Sequence, residues 1–192
     1  MLMMEALAGE ALEQGWWLEA VAICVGVAGM FRVMELLTLT AGCISGELGD
    51  EAIVVTLLET KTSSRAQRRQ HAFIREPQAA ALLLTLRAGL QPGDKVFGTL
   101  SPKVLRDRLR KLSITCGLQY LLITPLSFRR GGATIRFRQT NSFDRVATEG
   151  RWDSVRTARK YVDEAVAELS SHVLTNAASL AGSATKLHAL FD

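Results

Sequence analysis

The sequence predicts a mainly α-helical domain carrying one small antiparallel β-sheet, an α+β arrangement. Three observations lead there. Helix-start and helix-stop signals recur along most of the chain, the β-branched residues gather in one pair of short segments, and no internal repeat is present. With 192 residues, 48% hydrophobic and 22% charged, the chain has the length of one ordinary domain with a real core and is too apolar to be disordered as a whole.

Residues 3–14 form an amphipathic pattern ending near Gly15. Residues 16–30 read as a buried helix, in which Gly26 and Gly29 lower helix propensity but allow close packing. The longest apolar run, 20–31, is far short of the roughly 20 residues of a membrane span, so it belongs to a core. The helical pattern continues through 31–40, with Phe31, Met34 and Leu37 or Leu39 inward and Arg32 and Glu35 on another face at i, i+3. Residues 52–58 (AIVVTLL) and 70–74 (QHAFI) read as paired strands joined by a polar, basic tip. Residues 76–90 form a helix with Pro77 in its first turn and a stop near Gly89, and 91–98 are a loop around a short buried segment. Ser101-Pro102 starts a helix that runs to about Cys116, and Thr124-Pro125 repeats that signal for a helix through about Gln139. Ser142 caps a short helix ending near Gly150, and Asp153-Ser154 caps one over 155–171. Residues 177–190, rich in Ala and Ser, read as a weaker, loosely docked tail helix.

Cys24, Cys43 and Cys116 are odd in number and widely spaced, which gives no disulfide framework or zinc motif and fits a reducing compartment. The acidic start is unlike a secretory leader. A net charge of +4 hides a steep asymmetry. Residues 1–60 hold one base, Arg32, against nine acids, whereas residues 101–160 hold fourteen bases against four acids. A segment that basic points to a polyanion, most simply nucleic acid, or to a solvated basic face that binds nothing specific.

The chemistry-bearing residues are ordinary one by one: Arg32 and Glu35 could be a surface pair, Lys61 a loop lysine, Arg129 a salt-bridge partner, Trp152 and Tyr161 boundary aromatics. Their order is more informative. Arg32-x-x-Glu35-Leu opens a helical stretch, Lys61 lies in TKT on the hairpin, Arg129 lies in TPLSFRRGGAT, and GRWDSVRTARKY sets Trp152 nine residues before Tyr161. This set resembles the catalytic domain of tyrosine recombinases, the phage-integrase family, over about residues 1–171.

The resemblance implies that Tyr161 attacks a DNA phosphate and forms a 3′-phosphotyrosyl link. Arg32 and Arg129 would hold the non-bridging oxygens, Lys61 would protonate the leaving 5′-oxygen, Trp152 would donate its indole N–H, and Glu35 would orient Arg32 or neighbouring backbone. The physics is compatible. Guanidinium forks stabilise the charge that develops on phosphate oxygens, and no metal or other cofactor is then required. A phenol with a pKa of about 10 needs help to ionise, and Arg156, Arg159 and Lys160 lie within five residues of Tyr161.

Two departures stand out. The family usually has a histidine three residues before the second arginine, and here that position is Leu126, which can neither donate a hydrogen bond nor move a proton. The sequence also starts at what reads as the first helix of the catalytic domain, without the helical domain that usually precedes it, as expected of a fragment of a larger protein, a compact relative or a decayed element copy. The departures leave room for a catalytically weakened or inactive DNA-binding relative, and charge alone for an unrelated helical protein with an acidic partner. DNA positioning is expected from Lys103, Arg106 and Arg110 on one helix face, Arg65, Arg68 and Arg69 after the hairpin lysine, Arg130, Arg156 and Arg159, with Arg136, Arg138 and Arg145 flanking the second-arginine helix. The resemblance further implies double-stranded DNA as partner, a homotetramer on DNA in which the 172–192 tail passes to a neighbouring subunit, and an intracellular, DNA-associated location without a membrane.

Overall fold

The computed structural model describes residues 2–57, 70–162 and 177–191. Helices α1 (Leu2–Glu13), α2 (Trp17–Ala28) and the short α3 (Val33–Leu37) lead through a 3-10 turn (Ala41–Cys43) into a three-stranded antiparallel sheet. Its strands, β1 (Ile44–Ser45), β2 (Ile53–Leu57) and β3 (Gln70–Ile74), lie in sequence order, with Ile53 opposite Ile74 and Leu57 opposite Gln70. The chain then forms α4 (Pro77–Arg87), α5 (Pro102–Thr115), a 3-10 turn (Gln119–Leu121), α6 (Leu126–Thr140), α7 (Phe143–Glu149), α8 (Val155–Arg159) and α9 (Ala177–His188). This is the α+β class that the sequence predicts. No helix among the described residues is long and apolar enough to cross a membrane.

Local chemistry starts these helices where the sequence places them. The Ser101, Ser142 and Ser154 hydroxyls accept from the backbone N–H groups of Val104, Arg145 and Thr157, each satisfying a donor that a helix start leaves orphaned. α2 is buried almost all round and packs against α1, α4 and α6. Its crossing with α6 is tight: a Cβ on Gly132 would lie 2.2 Å from the Val27 carbonyl oxygen, so only glycine fits there. β2 alternates, with Ile53, Val55 and Leu57 inward. A second, smaller core of Met30, Ala133, Val146, Ala147, Ala158 and Val162 supports Trp152 and Tyr161.

Several expectations need correction, and one strand is not foreseen from the sequence. Residues 31–40 do not continue as one helix. α2 closes instead in a Schellman motif, with Met30 N–H bonded to the Val27 carbonyl and Phe31 N–H to that of Gly26. Met30 takes the left-handed conformation (φ +50°) that glycine usually supplies, so the sequence carries no stop signal. The new direction buries Phe31, Leu37 and Leu39 as expected but turns Met34 out to 55% exposure. β1, only two residues long, is too short to leave a pattern. α6 begins one residue later than its Thr-Pro signal, with Pro125 at the cap position. The helix started by Ser154 ends at Arg159, which leaves Tyr161 in a turn, and residues 163–176 lie outside the described residues.

The tail helix α9 is firmly seated on α1. Leu180, Ala184 and Leu187 are buried, Lys186 pairs with Glu13, and a Cβ on Gly9 would lie 1.8 Å from the Ser183 carbonyl oxygen. Gly9→Val is therefore expected to lift α9 from α1 at a cost of about 1–3 kcal/mol. Limited proteolysis should show faster cutting at the C-terminus, and unchanged protection would contradict this packing.

Candidate functional site

Arg32, Glu35, Arg129, Trp152 and Tyr161 come together at one place, from four separate stretches of chain. Arg32 sits at the N-cap of α3, and its backbone N–H donates to Glu35 Oε2 (2.9 Å) while its Nη1 donates to Glu35 Oε1 (2.5 Å). The Arg32 side chain remains 38% exposed, while that of Glu35 is 4% exposed.

Arg129 is the most enclosed member, at 1% exposure. Its Nη1 donates to the Met30 carbonyl (2.7 Å) and its Nη2 to the Gly150 carbonyl (2.6 Å). These carbonyls belong to the C-terminal ends of two helices. α7 closes as α2 does, with Arg151 N–H bonded to the Thr148 carbonyl, Trp152 N–H to that of Ala147, and Arg151 at φ +59°. Arg129 thus joins two helix ends whose last carbonyls favour a cation, which is how a buried guanidinium is accommodated. Burial pushes its pKa down, and the neighbouring Arg32 and Arg151 charges push the same way, to about 10. It therefore stays charged at neutral pH.

Trp152 lies against Arg129, with the guanidinium carbon 4.2 Å from the ring centroid, and the Trp152 and Tyr161 ring centroids are 5.0 Å apart. Gly150 makes this contact possible, because a Cβ there would lie 1.7 Å from the indole ring. Tyr161 is half-buried. Arg129 Nε and Trp152 Nε1 are buried N–H groups with no hydrogen-bond acceptor among the described residues. Such groups are rare in folded proteins and call for an explanation.

The sequence pattern passes over one residue here, Arg151. Its side chain is 4% exposed and donates to the carbonyls of Gly29 (2.9 Å) and Met30 (3.2 Å) and to Glu35 Oε2 (3.1 Å). A non-glycine residue in the left-handed region costs on the order of 1 kcal/mol or more, a cost that GRW read as spacing does not reveal.

Burial pushes the Glu35 carboxyl up, but the Arg151 charge, the Arg32 backbone N–H and the Arg32 guanidinium outweigh it and hold the pKa below the ordinary value. Because the folded value is depressed, the stability contributed by ionised Glu35 is complete above the unfolded value of about 4.3 and is lost as pH falls through the lower folded value. Glu35→Gln should flatten that part of the acid unfolding curve, followed by urea midpoints at stepped pH. An unchanged curve would show that Glu35 does not supply it.

The remaining site candidates divide. Leu126 is 64% exposed at the first turn of α6. Lys103, Arg106 and Arg110 lie exposed along α5, with Lys103 near Asp107 at 3.8 Å. Arg130, Arg138, Arg145 and Arg156 are exposed, and Arg159 stacks on Phe143 at 4.6 Å. Arg136 is not a free surface cation, because it pairs with Glu149 at 2.5 Å. Lys61, Arg65, Arg68 and Arg69 lie outside the described residues.

With this geometry in place, the chain can be set beside known structures. XerH site-specific recombinase bound to palindromic difH substrate, in a post-cleavage complex, superposes with a TM-score of 0.65 at 14% identity, over 88% of this chain and 51% of that one. XerH bound to difH substrate in a pre-cleavage complex gives 0.66 at 16% identity, over 89% and 51%. XerA recombinase gives 0.66 at 18% identity, over 89% and 61%. The fold is that of the tyrosine recombinase catalytic domain. This chain spans about half the length of the XerH chains and 61% of the XerA chain. No protein-family model matches the sequence, and no curated protein matches it.

Proposed function

We propose that the chain is a tyrosine recombinase-like DNA strand-transferase that cuts and rejoins DNA through Tyr161. The observation that carries this reading is the convergence of Arg32, Arg129, Trp152 and Tyr161 from distant stretches of sequence on one site. In the proposed reaction Tyr161 releases its phenol proton to solvent, the phenolate oxygen attacks phosphorus, the bond to the 5′-oxygen breaks, and a 3′-phosphotyrosyl link forms. The departing 5′-oxygen takes a proton from Lys61, and a 5′-hydroxyl later reverses the step. Arg32, whose side chain is 38% exposed, would meet a phosphate oxygen directly. Arg129 Nε and Trp152 Nε1 are donors of the kind that an oxyanion would satisfy. Arginine charge does the work of a metal, so EDTA should leave the reaction unchanged.

Exposed Lys103, Arg106, Arg110, Arg130, Arg156 and Arg159, with Arg65, Arg68 and Arg69 from the sequence between β2 and β3, are proposed to position the duplex through phosphates. If about six of them do so, DNA affinity should fall with salt at a log–log slope of about −5. A slope near zero in a fluorescence anisotropy titration would contradict every DNA reading, and would favour an acidic protein partner.

Two observations favour a second reading, a DNA-holding relative that does not cut: Leu126 stands exposed where the family's proton-handling histidine is expected, and Arg129 is almost fully enclosed. A denaturing gel of the chain with a nicked, randomised DNA pool in EDTA separates the two. A band that survives denaturation supports strand transfer, whereas salt-sensitive binding without such a band supports holding. The 172–192 tail, whose helix α9 sits on α1 of its own chain, is proposed to exchange that seat for α1 of a neighbouring subunit in a tetramer on DNA. Truncation at about residue 172 should then abolish cross-linked tetramer on DNA, and unchanged tetramer would overturn that part.

A further inference from the structure

We infer that Arg151 is a positioning residue of this site, whose guanidinium fixes the Glu35 carboxylate and, through it, the orientation in which Arg32 meets the phosphate. The inference rests on the strand-transfer reading and adds a residue to it. Three features carry it. Arg151 is held at φ +59°, where an arginine is strained and a glycine would not be. Its side chain is nonetheless buried and makes specific bonds. Those bonds fall into two groups with different consequences.

The bonds to the Gly29 and Met30 carbonyls close the end of α2, which is a structural role. The bond to Glu35 Oε2 is different, because it acts on the group that aims Arg32. Oε2 holds the Arg32 backbone N–H and Arg151, while Oε1 holds the Arg32 guanidinium. The terminal torsion of a glutamate is broad and easily turned. Pinning Oε2 from two sides stops that rotation and leaves Oε1 aimed at Arg32. The charged groups around Glu35 are Arg32 from its own helix and Arg151 from the α7–α8 connection, and Arg129 on α6 also feels the Glu35 charge. Arg151 and Arg129 share the Met30 carbonyl, so the same residue also steadies the seat of the second arginine.

The test compares the full chain with Arg151→Met and Arg151→Lys. Two readouts are taken against pH: the rate of covalent adduct formation and the titration midpoint of the Glu35 carboxyl by carbon-13 NMR, assigned with Glu35→Gln. Arg151→Met should slow adduct formation on the order of 100-fold, the scale of a small misplacement of reacting groups. It should also raise the Glu35 midpoint and move the acid limb of the rate profile upward with it. Arg151→Lys, which keeps one charged donor, should recover part of both and serves if the Met variant folds poorly. A rate lowered by one factor at every pH with the Glu35 midpoint unmoved, or a Met variant as fast as the parent, overturns the inference. If the parent chain forms no adduct, the strand-transfer reading falls by itself. The Glu35 midpoint then decides the role of Arg151, and an unshifted midpoint overturns it.

Discussion

Tyr161→Phe should remove the covalent DNA adduct while leaving DNA binding within about twofold, the scale of a surface change of ±0.5 kcal/mol. The expected loss is on the order of 10⁴-fold or more, judged from what removal of other covalent nucleophiles costs. The reasons are local. Tyr161 is half-buried in a turn, its ring lies 5.0 Å from that of Trp152, and its backbone is tied to α8 through the Ala158 carbonyl. Phenylalanine keeps the ring and these contacts, so the variant should fold normally and differ only by an oxygen. Thermal melts and anisotropy titrations of the variant give the two controls. A variant that still forms adduct would place the nucleophile elsewhere, and Tyr120, which is 55% exposed, would be examined next.

The second large effect is expected at Arg129, where folding and chemistry meet in one side chain. Arg129→Met should destabilise the chain by about 1–3 kcal/mol, because the buried Gly150 carbonyl loses its donor, while the Met30 carbonyl loses its shorter bond and keeps the one from Arg151. It should also abolish adduct formation in whatever fraction remains folded. Arg129→Lys separates the two roles. An ammonium keeps the charge but lacks the planar fork that reaches two carbonyls at once, so stability should recover in part and cleavage much less. Urea unfolding midpoints report the first, and single-turnover adduct rates the second. A methionine variant as stable as the parent would show that the helix ends do not depend on this arginine.

The legible parts of the fold were those with local chemical signals. Ser101, Ser142 and Ser154 announce helix starts through their hydroxyls, and the β-branched run at 53–57 announces β2. Among the described candidates, the order Arg32, Glu35, Arg129, Trp152, Tyr161 was enough to name side chains that the fold brings together. Most of what stayed hidden has one physical root. α2 and α7 both end in Schellman motifs whose left-handed residue is Met30 or Arg151 rather than glycine, and a left-handed non-glycine residue leaves no mark in a sequence. The end of α7 near Gly150 is legible in the sequence, whereas the unmarked end of α2 extends the helical reading through residue 40 and turns Met34 inward, and the left-handed Arg151 gives no sign of its buried contacts. The enclosure of Arg129 was hidden for the same reason, since the carbonyls that hold it exist only once both helices have closed. β1 was too short for any periodicity.

The most direct test of the account is to isolate the adduct from the parent chain and a nicked DNA pool in EDTA, digest protein and DNA, and map the modified peptide by mass spectrometry. Strand transfer through Tyr161 predicts a single nucleotide joined through its 3′-phosphate to Tyr161, with a free 5′-hydroxyl on the other DNA fragment. A nucleotide on any other residue, a 5′-phosphoryl linkage, or a requirement for added metal would contradict it.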